Sequence, residues 1–471
     1  MMSLKNMVRG LEKDAVAQQF IQLWDHDAHT LKFWRASSNF VYTFERRGSR
    51  QFLRFVHETD NSLVRIQAEL DYMRFLAASD YPTAAPVLSI HDNRVETVET
   101  AGDGRYYGVV FEQAAGSPIP MEQMTDQHAE AWGGSLAALH QRSEQYSPGP
   151  AARGSWHDAL LFISSVLQRH PDESGARLEL DRLREQLSAL PTDAAHFGLI
   201  HYDFQADNLF YLSGESRYCA IDFDDAMYHW YAMDIVSALA DLAELHDDDA
   251  RRVQAHFLTG YRAIRPLSER CQQAFPLFRR FAELYTLARL LRSVEGIADD
   301  LYPSWAIGLR DKLLGICERI RKNYRPCISF RPIDQHNWFA CTELEVADEQ
   351  KKVFPVSTVY WLAESAYCGF TPLAIYASGQ PAGLAVYAVD PDDGSCWIMA
   401  YMIDRRCQRR GIGRAAMEAL VRHIRDTYAC DSIVLGHRPN NKIAADLYAS
   451  LDFIETGRTE QEVVRTLNLA K

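Results

Sequence analysis

The chain has no Cys-x-x-Cys pair among its nine cysteines, no internal repeat and no low-complexity tract. No apolar run reaches the ~18 residues of a membrane span. An odd cysteine count without paired spacing argues against a disulfide framework or a zinc ribbon, and reduced thiols in a cytosolic protein are expected. The opening MMSLKNMVRG lacks the apolar core of a secretory signal, so a cytoplasmic location with no membrane partner is expected. Positive charge is also short, the net being −13. An acidic chain is a poor partner for nucleic acid and a plausible host for cationic small molecules, although solubility alone would also account for the acidity.

What is present is an ordinary globular composition, 47% hydrophobic and 24% charged over 471 residues. That length exceeds one common core and implies two or three domains. From Ile328 onward there are 15 Lys+Arg against 18 Asp+Glu, a net of −3, which leaves −10 for residues 1–327.

Residues Phe33 to Ser89 read as strand, strand, helix. Asn39–Glu45 and Gln51–Val56 are rich in aromatic and β-branched residues and are separated by the turn Arg46-Arg47-Gly48-Ser49. Asn61–Ala78 places Leu63, Ile66, Leu70 and Met73 on one helical stripe. A further strand at Tyr106–Phe111 precedes a long, mainly helical stretch from Thr125 to Arg321. Two short strands within Leu199–Asp225 interrupt it. After Lys322–Pro326 the pattern changes. Strands are expected at Ile328–Pro332, Leu373–Tyr376, Ala382–Val389, Cys396–Ile403 and Ser432–Leu435, with helices between them. The short junction implies two domains, 1–322 and 328–471, that touch.

Within the helical stretch stands His201-Tyr202-Asp203-Phe204-Gln205-Ala206-Asp207-Asn208, followed by Ile221-Asp222-Phe223-Asp224. Phosphoryl transfer needs a carboxylate that orients the acceptor and oxygen ligands for magnesium beside the triphosphate. Asp203 fits the first role, and Asn208 and Asp222 fit the second. This segment resembles the catalytic and metal loops of the aminoglycoside phosphotransferase and choline kinase superfamily, across roughly Leu31 to Arg321. The resemblance implies a bilobal kinase-like fold using ATP and Mg2+, with Asp203 as catalytic base and Asn208 and Asp222 as metal ligands. It places Ser38 in the loop over the phosphates. Arg54 takes the place of the phosphate-pairing lysine, with Glu69 as its helix partner, and Glu112 to Ala114 offer backbone groups to adenine. A plain surface ion pair is the competing reading of Arg54 and Glu69. Asp234 resembles the aspartate that braces the catalytic loop, and His140 is expected to pack or cap. Asp224, Asp225, Asp241, Glu244, Asp247–Asp249, Glu295, Asp299 and Asp300 could hold an amine-rich acceptor if they face the cleft; a solvated face is the alternative for Asp247–Asp249.

In the second domain the strand Cys396–Ile403 feeds into Gln408-Arg409-Arg410-Gly411-Ile412-Gly413-Arg414, after which a helix carries Ala416, Leu420 and Ile424 on one stripe. Glycines at such a turn let the backbone approach a pyrophosphate, and the helix start presents free N–H groups to it. The segment resembles the acetyl-CoA motif of the GNAT superfamily of N-acetyltransferases, whose fold is a mixed central sheet flanked by helices. Asn441-Lys442-Ile443-Ala444-Ala445-Asp446-Leu447-Tyr448 resembles that family's second block. The likeness implies that Asn441 meets the cofactor arm and that Tyr448 protonates the departing thiolate; a core aromatic is the alternative for Tyr448. Leu451-Asp452-Phe453 departs from the usual Leu-Gly-Phe, and aspartate tolerates the left-handed cap that glycine would fill. Asn337-Trp338, Cys341 to Glu345 and Phe354 to Glu364 resemble the spermine/spermidine acetyltransferase branch, in which Glu343, Glu345 and Glu364 could seat a cationic amine.

The resulting expectation is an α+β protein of two domains. It is a bifunctional O-phosphotransferase and N-acetyltransferase acting on a small aminated compound in antibiotic resistance, with a homodimer allowed. Two rivals stay open. One joins a choline- or homoserine-type metabolic kinase to a polyamine acetylase, and the other makes the kinase-like part a nucleotide-sensing module.

Overall fold

A computed structural model describes residues 1–469 apart from 101, 150–151, 298–301, 325, 378 and 429, and the side chains of residues 13 and 244 are likewise outside it. The chain divides into two compact units, Met1–Pro171 with Glu179–Ile320, and Asp172–Leu178 with Arg321–Lys471. Among the described residues no helix is long and apolar enough to cross a membrane.

The first unit begins with α1 (Leu4–Gly10) and α2 (Ala15–Ile21), followed by β1 (Lys32–Ala36), β2 (Phe40–Arg46), β3 (Ser49–His57), α3 (Leu63–Ala78), β4 (Pro86–Val87), β5 (Glu96–Thr100) and β6 (Gly104–Glu112). The strands form one antiparallel sheet in the order β1-β2-β3-β6-β4, with β5 also on β6. The β2–β3 hairpin turns through Arg47 and Gly48, both at positive φ, a backbone twist that matches the flanking strands. Alternation along β3 buries Leu53 and Phe55 and sends Arg54 to the opposite face. Helix α3 is capped by Ser62 and buries Ile66, Leu70, Met73 and, on the same helix, Glu69.

From Asp126 to Tyr324 the chain runs through α4 (Asp126–Ser143), α5 (Trp156–Arg169), α6 (Ser174–Ser188), β7 (Phe197–Ile200), β8 (Leu209–Leu212), β9 (Arg217–Ala220), β10 (Met227–Trp230), α7 (Tyr231–Ala238), α8 (Asp247–Ile264), α9 (Glu269–Gln273), α10 (Phe275–Val294) and α11 (Ser304–Tyr324). β7 pairs with β10 and β8 with β9, both antiparallel. Helices α4 and α8 touch backbone to backbone: a Cβ on Gly133 would lie 1.9 Å from the Phe257 carbonyl, and one on Gly260 would lie 1.9 Å from that of Glu130. No side chain fits at either position. This packing supports the platform from which the β7–β8 and post-β9 loops project.

The second unit holds β11 (Ile328–Pro332), α12 (Trp338–Thr342), α13 (Thr358–Cys368), β12 (Thr371–Ala377), β13 (Gln380–Val389), β14 (Cys396–Ile403), α14 (Ile412–Thr427), β15 (Ser432–His437), α15 (Lys442–Ala449), β16 (Ile454–Arg458) and β17 (Val463–Asn468). Its seven strands run β11-β12-β13-β14-β15-β17-β16, antiparallel except for β14 and β15. Alternate residues of β13 serve two cores. Ala385 and Tyr387 pack with Met417, Leu420 and Ile424 of α14, while Leu384 and Val386 pack with Leu344, Phe354 and Trp361. The parallel pair spans only Cys396↔Ile433 to Ile398↔Leu435. Beyond Ile398 the two strands part, and the sheet opens.

Candidate active sites

The loop from His201 to Asn208 connects β7 to β8 and is held from beneath. Asp234, fully buried at the start of α7, accepts from the amides of His201 (2.9 Å) and Tyr202 (2.7 Å). His140 Nε2 lies 3.0 Å from the same carboxylate, and its Nδ1 lies 2.8 Å from the Tyr261 hydroxyl. Burial holds the His140 imidazole below its ordinary range. These two residues position the loop. Tyr202 takes a positive φ of 70°, which the two amide bonds to Asp234 sustain.

On this support Asn208 donates from Nδ2 to the Asp203 main-chain oxygen (3.0 Å) and to its carboxylate (2.9 Å). Asn208 Oδ1 is buried and accepts from nothing among the described residues, an unsatisfied oxygen available to a cation. Asp203 is pushed up to about 7, first by burial and then by the charges of Asp225, Asp222, Asp207 and Asp224. A carboxylate with that affinity for a proton can accept one from an acceptor hydroxyl near neutral pH.

Asp222 follows β9 in a left-handed conformation, φ 64°. Burial raises its carboxyl above the ordinary range even though Arg54 opposes this. Arg54 Nη2 donates to both oxygens of Glu69 at 2.7 Å, and its Nη1 donates to Asp222 Oδ1 at 3.1 Å. Arg54 and Glu69 are therefore not a surface ion pair: their side chains are 11% and 0% exposed. Burial opposes the Arg54 charge, and Glu69 and Asp222 outweigh it, so the guanidinium is held above its ordinary range. The fork spans two carboxylates at once, which a single ammonium does with poorer geometry. Arg35 on β1 reaches the other Asp222 oxygen at 3.4 Å, a contact the sequence did not reveal.

Ser38 lies in the β1–β2 turn, 3.5 Å from Arg289 Nη2, and the neighbouring Asn39 donates to Asp224 Oδ2 at 2.7 Å. Arg289 also donates to Asp225 Oδ2 at 2.7 Å. Burial works against the Asp225 charge, but Arg289, the Met1 ammonium and Arg153 together outweigh it and bring the group down to about 2. The Glu112 amide donates to the Ala85 carbonyl. The Ala114 amide has no acceptor among the described residues.

Of the carboxylates expected to gather around an amine-rich acceptor, Asp224 and Asp225 line one cavity, whereas three others are engaged elsewhere. Asp248 and Asp249 pair with Arg251 and Arg252 on the exposed start of α8, and Glu295 pairs with Arg169 and His170. Asp299 and Asp300, and the Glu244 side chain, lie outside the described residues. Among the described residues no group of three or more His, Cys, Asp or Glu converges as a metal cage. An Asn and an Asp beside phosphate oxygens are the kind of sparse protein set that magnesium accepts.

In the second unit a cleft of about 290 Å³ lies at the end of β14, past the point where that strand parts from β15. Gln408, Arg409 and Gly413 form one wall, Asn441 and Tyr448 another. Arg409 (φ 58°) and Gly411 (φ 72°) turn the chain into α14, so a side chain at Gly411 is strained and the amides of the first helical turn stay free for an anion. Ile412 packs in the core. Arg410 is exposed, and Arg414 donates to Ser450 Oγ at 2.7 Å. Gln408 Nε2 donates to Gln350 (2.7 Å) and to the Ile403 carbonyl (2.8 Å), fixing the turn. Asn441 Oδ1 caps α15 by accepting from the Ala444 amide at 3.2 Å, so its NH2 group is what can reach the cofactor. Burial pushes Tyr448 up to about 12; it keeps its proton at neutral pH and has one to give. Asp452 stands at φ 64°, the left-handed cap that aspartate tolerates.

The cleft carboxylate is Glu349, which the sequence did not single out. Glu345 lies 3.5 Å from Arg405, Glu364 accepts from Tyr360 at 3.0 Å, and neither these nor Glu343 line the cleft.

Comparison with known proteins assigns each of the two sequence regions to a family. Residues 30–267 match the phosphotransferase enzyme family and residues 332–453 the acetyltransferase (GNAT) family. The chain is 23% identical to the amicoumacin kinase of Bacillus subtilis (strain 168) over 64% of its own length and 89% of that protein. Its C-terminal part is 28% identical to the spermine/spermidine N(1)-acetyltransferase of the same organism, over 28% of this chain and 91% of the relative. The fold of the first unit resembles that of amicoumacin kinase hAmiN, solved with AMP-PNP, Ca2+ and Ami, at a TM-score of 0.57 and 22% identity, over 68% of this chain and 96% of that one. The chain belongs to the phosphotransferase enzyme family, and it continues into an acetyltransferase domain of the GNAT family.

Proposed function

We propose that the two domains modify small aminated compounds in antibiotic resistance, the first phosphorylating a hydroxyl with ATP and Mg2+, the second acetylating an amine with acetyl-CoA. The observation that carries the kinase half is the pairing of Asp203 with Asn208, whose Oδ1 remains open. Mg2+ held there and at Asp222 would neutralise charge on the phosphates. Asp203 orients the acceptor hydroxyl and takes its proton. On the acetyl side Tyr448 supplies a proton to the leaving thiolate, and the turn at Gly411 seats the pyrophosphate. A kinase relative named for amicoumacin and an acetylating relative named for spermine and spermidine support amine-bearing targets. The presence of a base and an open metal-ligand oxygen favours turnover over nucleotide sensing alone.

Mass spectrometry on a panel of aminated antibiotics, polyamines and hydroxylated metabolites, with ATP and acetyl-CoA supplied separately, tests both halves. A gain of about 80 Da assigns phosphoryl transfer and about 42 Da acetyl transfer. Modification confined to common metabolites would replace the resistance reading with the metabolic one.

A further inference from the structure

Beside the Asp203 loop lies a cavity of about 680 Å³ within the first unit, walled by Arg65, Arg153, Asp224, Asp225, Arg289 and Arg292. It adjoins the reacting centre. Asp225 lies in its wall, and Tyr285, also in the wall, holds its ring 5.6 Å from that of Tyr202, the residue before Asp203.

The charges of this cavity decide what it accepts. Two arginines are already matched: Arg289 by Asp225 at 2.7 Å and Arg292 by Asp60 at 2.6 Å. Those two carboxylates are therefore not available to a polycation. Two other arginines have no carboxylate partner among the described residues. Arg153 is buried with its three nitrogens on the carbonyls of Ala226, Arg65 and Asp224, and Arg65 is exposed at the rim. Carbonyl oxygens satisfy hydrogen bonds without cancelling charge. On the acidic side, Asp224 is engaged by the neutral Asn39 amide (2.7 Å) and Asp158 by Ser155 (2.7 Å to the amide and 2.9 Å to the hydroxyl). Besides the Met1 amine, the cavity thus presents two arginines and two aspartates that form no ion pair among the described residues.

We infer that the phosphoryl acceptor is amphoteric, a hydroxylated amine that also bears an acid group, with the acid on Arg65 and the ammonium on the Asp224 side. The inference rests on the phosphotransferase reading of this site. In the reaction the acceptor hydroxyl gives its proton to Asp203 and its oxygen bonds to the γ-phosphorus. The bond from that phosphorus to the bridging oxygen breaks, and ADP leaves. A polycationic aminoglycoside would set several ammonium groups against Arg65 and Arg153 with few open carboxylates to receive them.

The test uses the full chain with ATP and Mg2+ on matched acceptors: L-homoserine, 3-amino-1-propanol (the same compound without its carboxylate) and an aminoglycoside. Any acceptor that the mass-spectrometric panel yields joins them, paired with its esterified counterpart. The acid-bearing member of each pair should have the higher kcat/KM, and Arg65→Gln should reduce that preference about ten- to a hundredfold, the loss of one charge-assisted hydrogen bond. Arg65 is exposed, so the variant keeps its fold, which a thermal melt checks. Turnover confined to the aminoglycoside, or a preference that Arg65→Gln leaves in place, overturns the inference and leaves the phosphotransferase reading standing. ATP binding without turnover of any acceptor, here or in the panel, overturns both.

Discussion

Asn208 clasps Asp203 by donating to its main-chain and carboxylate oxygens at once, 3.0 and 2.9 Å away. The clasp fixes the Asp203 carboxylate and leaves Asn208 Oδ1 without a donor among the described residues. Asp203→Ala should reduce phosphorylation ~10²- to 10⁴-fold and leave acetyl transfer at its original rate; phosphorylation at the wild-type rate would remove Asp203 from the reaction. The fold favours protonation of Asp203 up to about pH 7. The kcat/KM for phosphorylation should accordingly fall on the acid side.

Arg54→Lys keeps the charge but gives up the fork that joins Glu69 to Asp222. We expect the KM for ATP to rise by about tenfold, the equivalent of one strong hydrogen bond. Glu69→Ala should do more damage, because it leaves a buried guanidinium with Asp222 alone, at a cost of about 3 kcal/mol in stability. Steady-state kinetics and thermal melts separate the two effects. Equal ATP affinity in Arg54→Lys would show that the planar geometry is immaterial.

Tyr448→Phe should lower the acetyl-transfer kcat ~10²- to 10⁴-fold and leave the acetyl-CoA dissociation constant near its original value. Gly411→Val should do the reverse, weakening cofactor binding through strain at φ 72°. Calorimetry with acetyl-CoA, run beside kinetics on both variants, distinguishes a proton donor from a binding turn.

His229 is buried, its Nδ1 accepts from the Trp230 amide at 2.9 Å, and its Nε2 has no partner among the described residues. Burial lowers it from 6.5 to about 3. Between those values the unfolded chain binds the proton and the folded one does not, so stability rises with pH across the window and is lost as pH falls below about 6.5. His229→Phe should flatten the pH dependence of the melting temperature between pH 5 and 7.5. An unchanged slope would assign acid lability to other groups, His140 and His201 among them.

The two chemistries should run independently. The acetyl-CoA dissociation constant, measured with and without a saturating ATP analogue and magnesium, should agree within about fivefold. Coupling that merits the name allosteric is ~1–3 kcal/mol, roughly 5- to 150-fold. A larger shift would make the kinase domain a regulator of its neighbour.

Both catalytic segments were legible in the sequence because their chemistry is local. Asp203 and Asn208 lie within one loop, and Gln408 to Arg414 form one turn between a strand and a helix. Partners brought together by folding were not legible. Arg35 meets Asp222 across 187 positions, and no spacing rule announces such a pair. Strands β16 and β17 were missed because their residues are largely polar and half-exposed, which gives little hydrophobic alternation to read. Glu343, Glu345 and Glu364 were plausible amine seats and Glu349 was not singled out, since an exposed glutamate looks the same in sequence whether it faces a cleft or solvent.

The arginine at position 54 also has a consequence for a chain that handles an acyl donor. A lysine amine, once deprotonated, can be acylated by acetyl-CoA, and its loss of charge would silence a nucleotide site. The Arg54 guanidinium, held above its ordinary basicity between two carboxylates, has no free lone pair to offer. If Arg54 stands in for the phosphate-pairing lysine, as the kinase likeness implies, the phosphotransferase offers no amine there to the reagent its own acetyltransferase consumes. For the same reason, nucleotide probes that capture kinases by acylating an active-site lysine would find no amine at that position.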